Sequence, residues 1–388
     1  MQAKATMKTL HLAPQKTTCG IATYTANLIN GLKKYCDKKF FGLPEYKHWT
    51  NELVALPTRD ELNFLSEEEL KNFFISFCKK ARSFDAVHIQ NEWGLFGDTG
   101  ASLQDSLNNF TFLIENLLPL NKNVTVTFHS EPDFLVRDGL LNREERRAAK
   151  IWKKKLLPLC SKLKAVVHSQ ITKKRFIKSG FEAKNLYVIT HGVLENRFLK
   201  ERSRDDNNII ISLFGHLASY KGYELALDVL KLLPPHYRLC IIGGRHPRST
   251  GSEINDFLLL VRKLELEDQV LLTGEVNDEE AAFYHGNTDI CIAPHQADRL
   301  SASGAITWSL TAGCPVIASN VEAFRDIQRQ ENCLLLCDKN SPHEWAWAIQ
   351  RCGTDGMLRK KLIAGASKYC EKFSWSNVAP LHVNVYKS

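Results

Sequence analysis

The residues of this chain that are best suited to chemistry follow glycine turns at the ends of strand-like segments. The clearest example is the apolar run Ile209–Gly215, which is followed by His216 and Lys221. An ammonium group near a strand end and a helix start suits charge stabilisation of a diphosphate, because it is a compact donor to oxyanions. Lys221 is therefore predicted to neutralise a phosphate-bearing ligand. The alternative is a solvated lysine that precedes a helix.

A second turn with similar chemistry lies further along the chain, at Ser303 and Gly304. The Ser303 hydroxyl group can cap the helix that follows, and the backbone N–H groups of Gly304, Ala305 and Ile306 would then form an anion site. The alternative is an ordinary capped helix. Because the two turns are expected at neighbouring strands, we predict that they share one phosphate ligand.

Two further candidates lie in the first half of the chain. Gly20 opens an amphipathic segment after a strand, where a glycine lets a phosphate approach backbone N–H groups, although a tight turn explains it equally well. His129 ends the β-forming run VTVTFHS, and a histidine at a strand end can donate to a sugar hydroxyl or orient a leaving group. We predict a catalytic role for His129 and a structural role for His88, which lies inside its strand.

The segment Arg143–Lys155 has a helical pattern and far more cations than anions. Its Trp152 and leucines could lie at a membrane interface while the cations meet anionic lipid headgroups. The alternative is a solvated helix face. The segment therefore predicts either peripheral membrane contact or an ordinary charged surface.

Alternating strands and helices must position all of these residues. Short β-branched runs alternate with segments of helical period, which indicates parallel sheets whose ligands bind at the carboxyl ends of the strands. Capping patterns support the helices, for example at Ser66 with Glu69, and at Ser341 before Pro342. The predicted strands are Thr9–Ala13, Ala86–Gln90, Val124–His129, Ala165–Ser169, Leu186–Thr190, Ile209–Gly215, Arg238–Gly244, Val270–Gly274, Ile290–Pro294, Pro315–Ser319 and Cys333–Asp338.

Composition narrows the class of protein. With 44% hydrophobic and 24% charged residues, the 388-residue chain is typical of globular proteins of two or three domains. Its 51 Lys and Arg residues against 43 Asp and Glu residues give a net charge of +8, too evenly mixed for a dedicated nucleic-acid binder. We expect neither a membrane-spanning segment, since no run reaches the required apolar length, nor a secretory leader, since the opening residues lack its apolar core. The 11 cysteines form no C-x-x-C pair, which favours reduced core thiols and a cytoplasmic location, at the inner membrane surface if the cationic segment binds lipid.

In order and spacing, these segments resemble glycosyltransferase family 4, the retaining group 1 transferases of the GT-B fold. The resemblance is carried by CGIATYT at 19–25, VHIQNEWGLFG at 87–97, GHLASYKG at 215–222 and SGAITWSLTAGCPVIA at 303–318. The segment FSWSNVA at 373–379 is similar to the family's terminal segment, which crosses back to the first domain. The resemblance covers nearly the whole chain.

The family implies an α/β protein with two Rossmann-like domains, whose mostly parallel sheets face each other across a cleft. We place the acceptor-side domain at 1–194 and the nucleotide-sugar domain at 209–370. The linker is placed at 195–208, which is polar, highly charged and without a strand pattern. The returning segment is placed at 371–388.

Carried over by position, the family's roles fall on residues of both domains. Gly20 would approach the donor phosphates, His129 would lie near the transferred sugar, and Lys221 would neutralise the diphosphate. Gln90 and Glu92 are expected to contact the acceptor. No metal or other cofactor is implied, since cations and helix ends can supply the charge. The residues expected to bind the donor are Gly20, Gly215, His216, Lys221, Val276, Ser303, Gly304, Ala305 and Ile306.

Two departures from the family pattern matter. The family usually has arginine where this chain has His216, so one phosphate contact becomes weaker and dependent on pH. The family also often has two glutamates, eight residues apart, before its Gly-x-Pro segment. Here those places hold Leu300 and Trp308, or Ser301 and Ser309, depending on which glycine sets the alignment. The contacts to the sugar and ribose hydroxyl groups must then differ.

The resemblance implies a retaining glycosyltransferase that moves a sugar from a UDP- or GDP-linked donor to a hydroxyl group of a glycan, lipid-linked or protein acceptor. The missing glutamate pair keeps open a different class, a GT-B subunit that binds nucleotide sugars without transferring them. A UDP-sugar epimerase of the same fold is a third alternative. No nucleic-acid partner is expected.

Overall fold

The computed structural model describes residues 6–15, 20–37, 48–62, 64–97, 102–132, 135, 141–194, 208–245, 252–297 and 303–388. The chain divides into two α/β units. Unit 1 comprises Met1–Gly192 and Trp375–Ser388, and unit 2 comprises Val193–Ser374. The return to unit 1 begins at Trp375 and not at residue 371, because the helix that ends at Lys372 packs within unit 2. The expected linker lies outside the described residues except for Asn208.

Unit 1 contains a six-stranded sheet of order β2-β1-β3-β4-β5-β6, in which every strand pairing is parallel. Its strands are β1 Thr6–Ala13, β2 His48–Ala55, β3 Ala86–Asn91, β4 Val124–Phe128, β5 Lys164–Val167 and β6 Leu186–Val188. Its described helices up to residue 192 are α1 Gly20–Asp37, α2 Arg59–Leu62, α3 Glu67–Ala81, α4 Leu103–Leu117, α5 Arg143–Ile151, α6 Leu157–Cys160 and α7 Gln170–Lys178.

Unit 2 contains a second six-stranded parallel sheet, of order β12-β11-β10-β7-β8-β9. Its strands are β7 Ile209–Phe214, β8 Tyr237–Ile242, β9 Val270–Leu272, β10 Ile290–Ala293, β11 Val316–Ser319 and β12 Leu334–Cys337. Its described helices are α8 Tyr223–Lys231, α9 Ser252–Lys263, α10 Asp278–Gly286, α11 Gly304–Thr311, α12 Glu322–Gln330, α13 Pro342–Thr354 and α14 Gly356–Lys372; α15, Trp375–Lys387, then returns to unit 1.

The predicted alternation of strands and helices is confirmed, and every strand predicted from the sequence is present with slightly different ends. The side chains of Ser66 and Ser341 cap their helices as predicted. Strand β2 was missed. It lies at the edge of its sheet and exposes Thr50 and Glu52, so it lacks the apolar run that marks a buried parallel strand.

The two faces of the unit 1 sheet differ in chemistry, because successive side chains of a strand point to opposite faces. On one face, Val87 and Ile89 of β3 belong to the apolar core with residues of α3 and α4. On the other face, His88 and Gln90 are completely buried, and His88 is hydrogen bonded to Tyr386 of α15. The second face is therefore a buried polar layer beneath the returning helix.

The cationic segment buries its apolar side chains in unit 1. Trp152 is 1% exposed and packs against the rings of Trp93 and Phe176. The expectation that Trp152 could reach a membrane interface is therefore wrong, because the core already holds it. A π-helical turn at Trp152–Leu156 keeps three consecutive lysines, at 153–155, on the surface.

The nine cysteines from Cys78 to Cys370 are free, buried thiols, as expected from their spacing. Within the described ranges, no helix is long and apolar enough to cross a membrane.

Candidate active site

Unit 2 brings a buried cation to the carboxyl end of its sheet. Lys221 ends the 3-10 turn after β7, and only 7% of its surface is exposed. Its Nζ donates a hydrogen bond to Nε2 of His295 over 3.2 Å and lies 5.4 Å from the centre of the Tyr220 ring. Burial lowers the pKa of Lys221 from 10.5 to about 8. No carboxylate in the described part of the chain forms an ion pair with it.

The turn that holds Lys221 depends on close backbone packing. Gly215 has a φ of +127°, and a Cβ there would lie 3.1 Å from Lys221 Nζ. Gly243, at φ +147°, faces it so closely that a Cβ would lie 2.2 Å from the Gly215 oxygen. The Tyr223 hydroxyl group donates to the carbonyl groups of Gly215 and His216, at 2.9 and 2.6 Å. The ends of β7 and β8 therefore meet backbone to backbone, which leaves room for the ammonium group.

The second predicted anion turn lies at the start of α11, after β10. Ser303 occupies the N-cap position, but its side chain makes no capping hydrogen bond, so that part of the prediction is wrong. Gly304 is exposed, Ala305 is half-buried, and the Ile306 side chain is buried in the core. Because β7 and β10 are adjacent strands, this helix start and Lys221 lie at the same edge of the sheet.

The family pattern has two glutamates, and the described residues include only the position of the second one. That position holds no glutamate in this chain. Trp308 packs against the rings of Phe214 and His285, with ring centres 5.4 and 5.9 Å away. Ser309 is buried and donates to the Ala305 carbonyl over 3.2 Å. Either alignment of the family motif therefore places a buried, uncharged side chain where the second glutamate would be. The first members, Leu300 and Ser301, lie outside the described residues.

Val276 lines a cavity of about 350 Å³ beside β9. The residue is half-buried, and the walls combine carboxylates with two aromatic rings. The other lining residues are Thr273, Glu275, Glu279, Glu280, Phe283 and Tyr284. The cavity offers both stacking surfaces and acceptors for hydroxyl groups.

In unit 1, both ring nitrogens of His129 are hydrogen bonded to neighbouring side chains. Its Nε2 lies 2.8 Å from Gln90 Oε1, and its Nδ1 lies 3.2 Å from His168 Nε2. His168 Nδ1 donates to the Ile189 carbonyl over 2.9 Å, so a neutral His168 has no proton on Nε2. A neutral His129 carries one N–H group and donates it either to Gln90 Oε1 or to His168 Nε2. A sugar hydroxyl would therefore bind an imidazole nitrogen of His129 only in exchange for one of these bonds.

The network continues from Gln90 to the returning helix. Gln90 Nε2 lies 3.4 Å from His88 Nε2, and His88 Nδ1 lies 2.6 Å from the Tyr386 hydroxyl oxygen. His88 is thus the satisfied core residue that the sequence predicts, and Gln90 is completely buried. Gln90 can reach an acceptor only through His129, so it does not make the direct contact expected of it.

The remaining predicted residues lie at or near the surface of unit 1. Gly20 opens α1 in an exposed position, where a Cβ would meet nothing within 4 Å. Glu92 is half-buried before the 3-10 turn Trp93–Leu95. Neither position contradicts the expected role, and each role stays a prediction.

Two residues of these sites were missed from the sequence. The Glu131 side chain is 1% exposed, accepts a hydrogen bond from Thr172 at 2.6 Å, and pairs with Arg175 at 3.3 Å, which fixes the strand end that carries His129. The other is His295. It follows β10 directly after a proline, and the strand-end criterion that selected His129 would have selected it too.

The buried histidines predict acid sensitivity of unit 1. Burial lowers the pKa of His11, His191 and His382 to about 4 and that of His168 to about 3, whereas unfolding returns each to about 6.5. Below pH 6.5 the unfolded chain then binds more protons than the folded chain. The free energy of unfolding therefore decreases as the pH drops, by up to about 1.4 kcal/mol per pH unit for each histidine. Hydrogen exchange at pH 7.5 and 5 should show unit 1 losing more protection than unit 2. Equal protection of unit 1 at both values, after correction for the intrinsic exchange rate, would contradict this prediction.

Solved structures with a similar course of the chain identify the fold. Anabaena HepE in complex with UDP and glucose matches with a TM-score of 0.69 and 17% identity, over 98% of this chain and 99% of that one. Sucrose-phosphate synthase from Thermosynechococcus elongatus matches with a TM-score of 0.72 and 16% identity, over 98% of each chain. With its two parallel sheets, this chain has the GT-B fold of glycosyltransferases.

A family model matches most of unit 2. Residues 195–369 match the model of the glycosyl transferases group 1. A stretch of 188 residues is 28% identical to an uncharacterized glycosyltransferase of Methanocaldococcus jannaschii, over 47% of this chain and 46% of that protein. Another of 177 residues is 25% identical to the D-inositol 3-phosphate glycosyltransferase of Xylanimonas cellulosilytica, over 46% and 42%. The chain matches about half the length of these curated relatives.

Proposed function

We propose that this protein transfers a sugar, with retention of anomeric configuration, from a nucleoside-diphosphate sugar to an acceptor hydroxyl group in glycan or glycoconjugate synthesis. The observation that carries the proposal is Lys221, a buried cation without a carboxylate partner in the described residues, at the strand edge of a group 1 domain. A buried ammonium group of this kind is stabilised by an anionic ligand. The UDP and glucose bound to HepE support a nucleotide sugar as that ligand.

In the proposed reaction, the bond between the anomeric carbon and the diphosphate oxygen breaks while the acceptor oxygen bonds to the same carbon from the same face. The acceptor proton passes to the departing phosphate oxygen. Lys221 stabilises the charge that develops on the diphosphate, and the N–H groups at Gly304–Ile306 add to it. We assign no metal or other cofactor a role in this step.

The test is a panel of UDP- and GDP-sugars, assayed for nucleotide release with and without glycan, lipid-linked and protein acceptors. Release that depends on both donor and acceptor supports transfer, and the anomeric configuration of the product, read by NMR, tests retention. The absence of release with every donor and acceptor class would contradict the proposal.

A nucleotide-sugar-binding subunit without transferase activity is the second candidate. It is favoured by the buried Trp308 and Ser309, which offer no carboxylate at the expected glutamate position. The same panel separates the two functions, because such a subunit binds a donor and releases no nucleotide with any acceptor.

We further propose that the cationic surface at 143–155 contacts anionic membranes by charge alone. Glu substitution of Lys153, Lys154 and Lys155 should weaken binding to vesicles that contain anionic lipid by about 10²-fold or more, since each cation contributes about 1 kcal/mol. Co-sedimentation at low and high salt measures it. The control replaces three exposed lysines of other helices, Lys33, Lys360 and Lys361, by glutamate. Equal binding by both triple variants would contradict a localised contact.

A further inference from the structure

We propose that His295 is the positioning residue of Lys221, which it holds at the Gly215 turn through an uncharged acceptor so that the ammonium charge stays available to a diphosphate. The inference rests on the donor site proposed above. Lys221 follows β7 and His295 follows β10, and these strands pair directly in the sheet. The hydrogen bond of 3.2 Å therefore joins two adjacent strand ends.

The loop that carries His295 is fixed against the turn that carries Lys221. The backbone N–H of Gln296 donates to the Tyr220 carbonyl over 2.8 Å. The His295 ring is 1% exposed and stands edge-on to Phe324, with 5.1 Å between ring centres. These contacts set the direction of Nε2, so the imidazole locates the ammonium group at the end of a flexible four-carbon stem.

The acceptor has to be neutral for this arrangement to serve an anionic ligand. Burial holds the pKa of His295 well below its ordinary value, and the charge of Lys221 lowers it further. The ring then accepts at Nε2 and carries its proton on Nδ1. A carboxylate in this place would cancel the charge of Lys221 before a ligand arrived, whereas the imidazole gives direction without opposing charge.

Lys221 is the residue of this pair whose protonation is coupled to binding of the ligand. The described elements around the pair carry further titratable side chains, which are Tyr220 of the same 3-10 turn, His216 after β7, Lys339 before α13, Tyr223, Glu224 and Asp228 of α8, and Glu322, Arg325, Asp326 and Arg329 of α12. None of these carboxylates forms an ion pair with Lys221. A diphosphate binds the protonated form of Lys221 more tightly. Its affinity should therefore fall as the pH rises above about 8, with uptake of up to one proton on binding.

The test is calorimetric titration with UDP from pH 6.5 to 9.5, in buffers of different ionisation enthalpy, with inorganic pyrophosphate as a second probe. We expect His295→Ala to weaken UDP binding tenfold or more at pH 7. His295→Gln should restore most of the affinity, because its amide group can accept near the position of Nε2. His295→Asp should bind more weakly than His295→Ala, because its carboxylate competes for Lys221. The control, His343→Ala on the exposed start of α13, should match the native chain.

Native affinity and an unchanged pH profile in His295→Ala would overturn the positioning role, and so would tighter binding by His295→Asp. If His295→Ala does not fold, failure of His295→Gln to bind better than His295→Asp has the same meaning. Failure of the native chain to bind UDP, GDP or pyrophosphate would instead contradict the donor site itself.

Discussion

Replacement of Lys221 by alanine is expected to lower turnover by about 10²-fold or more, the range found when one donor to a developing oxyanion is removed. The physical reason is that Lys221 is a cation buried beyond the carboxyl end of β7, with a neutral imidazole as its hydrogen-bond partner. No carboxylate of the described residues therefore neutralises its charge. The measurement is kcat at saturating donor, together with the affinity for UDP.

Lys221→Met separates charge from packing, because methionine keeps much of the buried stem and removes the ammonium group. We expect nearly the same loss as for alanine. The matched control is Lys231→Ala at the exposed end of α8, which should leave kcat and UDP affinity at native values. Native turnover in Lys221→Met would remove the lysine from the mechanism, whatever its effect on stability.

Most of the architecture could be predicted because buried parallel strands are short apolar runs, and both sheets consist largely of such runs. The edge strand β2 was not predicted, because exposed residues such as Glu52 interrupt its apolar pattern. The boundary at Trp375 was not predicted for a different reason. Where the chain leaves unit 2 is decided by the packing of α14, and no residue at 371 marks it.

The candidate site was predictable where backbone geometry dictates residue type and unpredictable where contacts cross the sheet. Gly215 and Lys221 stand out because a glycine turn followed by a cation is a local pattern. The partner His295 lies 74 residues away and meets Lys221 only because β7 and β10 become neighbours. Gln90 illustrates the same limit, since its position in the motif suggested a surface contact while the strand face buries it.

Gly222→Ala is expected to lower the stability of unit 2 by several kcal/mol. Gly222 has a φ of +77°, and a Cβ there would lie 1.9 Å from the Pro294 carbonyl oxygen. The left-handed backbone costs about 1–3 kcal/mol for a residue with a side chain. The collision adds about 1–3 kcal/mol, because the atom it meets belongs to backbone and cannot rotate away. Thermal unfolding of unit 2 should therefore begin roughly 5–15 °C lower.

Substitutions at two other glycines distinguish the effect of the backbone strain from the effect of the collision. Gly313 has a φ of +67° with nothing within 4 Å of a Cβ, so Gly313→Ala carries the backbone strain without the collision. Gly356 begins α14 in open space, so Gly356→Ala should be close to neutral. We expect the stability losses to rank Gly222, Gly313, Gly356, measured by calorimetry. Because Pro294 precedes His295, any Gly222→Ala protein that still folds should also bind UDP more weakly than Gly313→Ala. An equal loss of stability in the Gly222 and Gly313 variants would mean that the contact between Gly222 and Pro294 does not hold the two strand ends together.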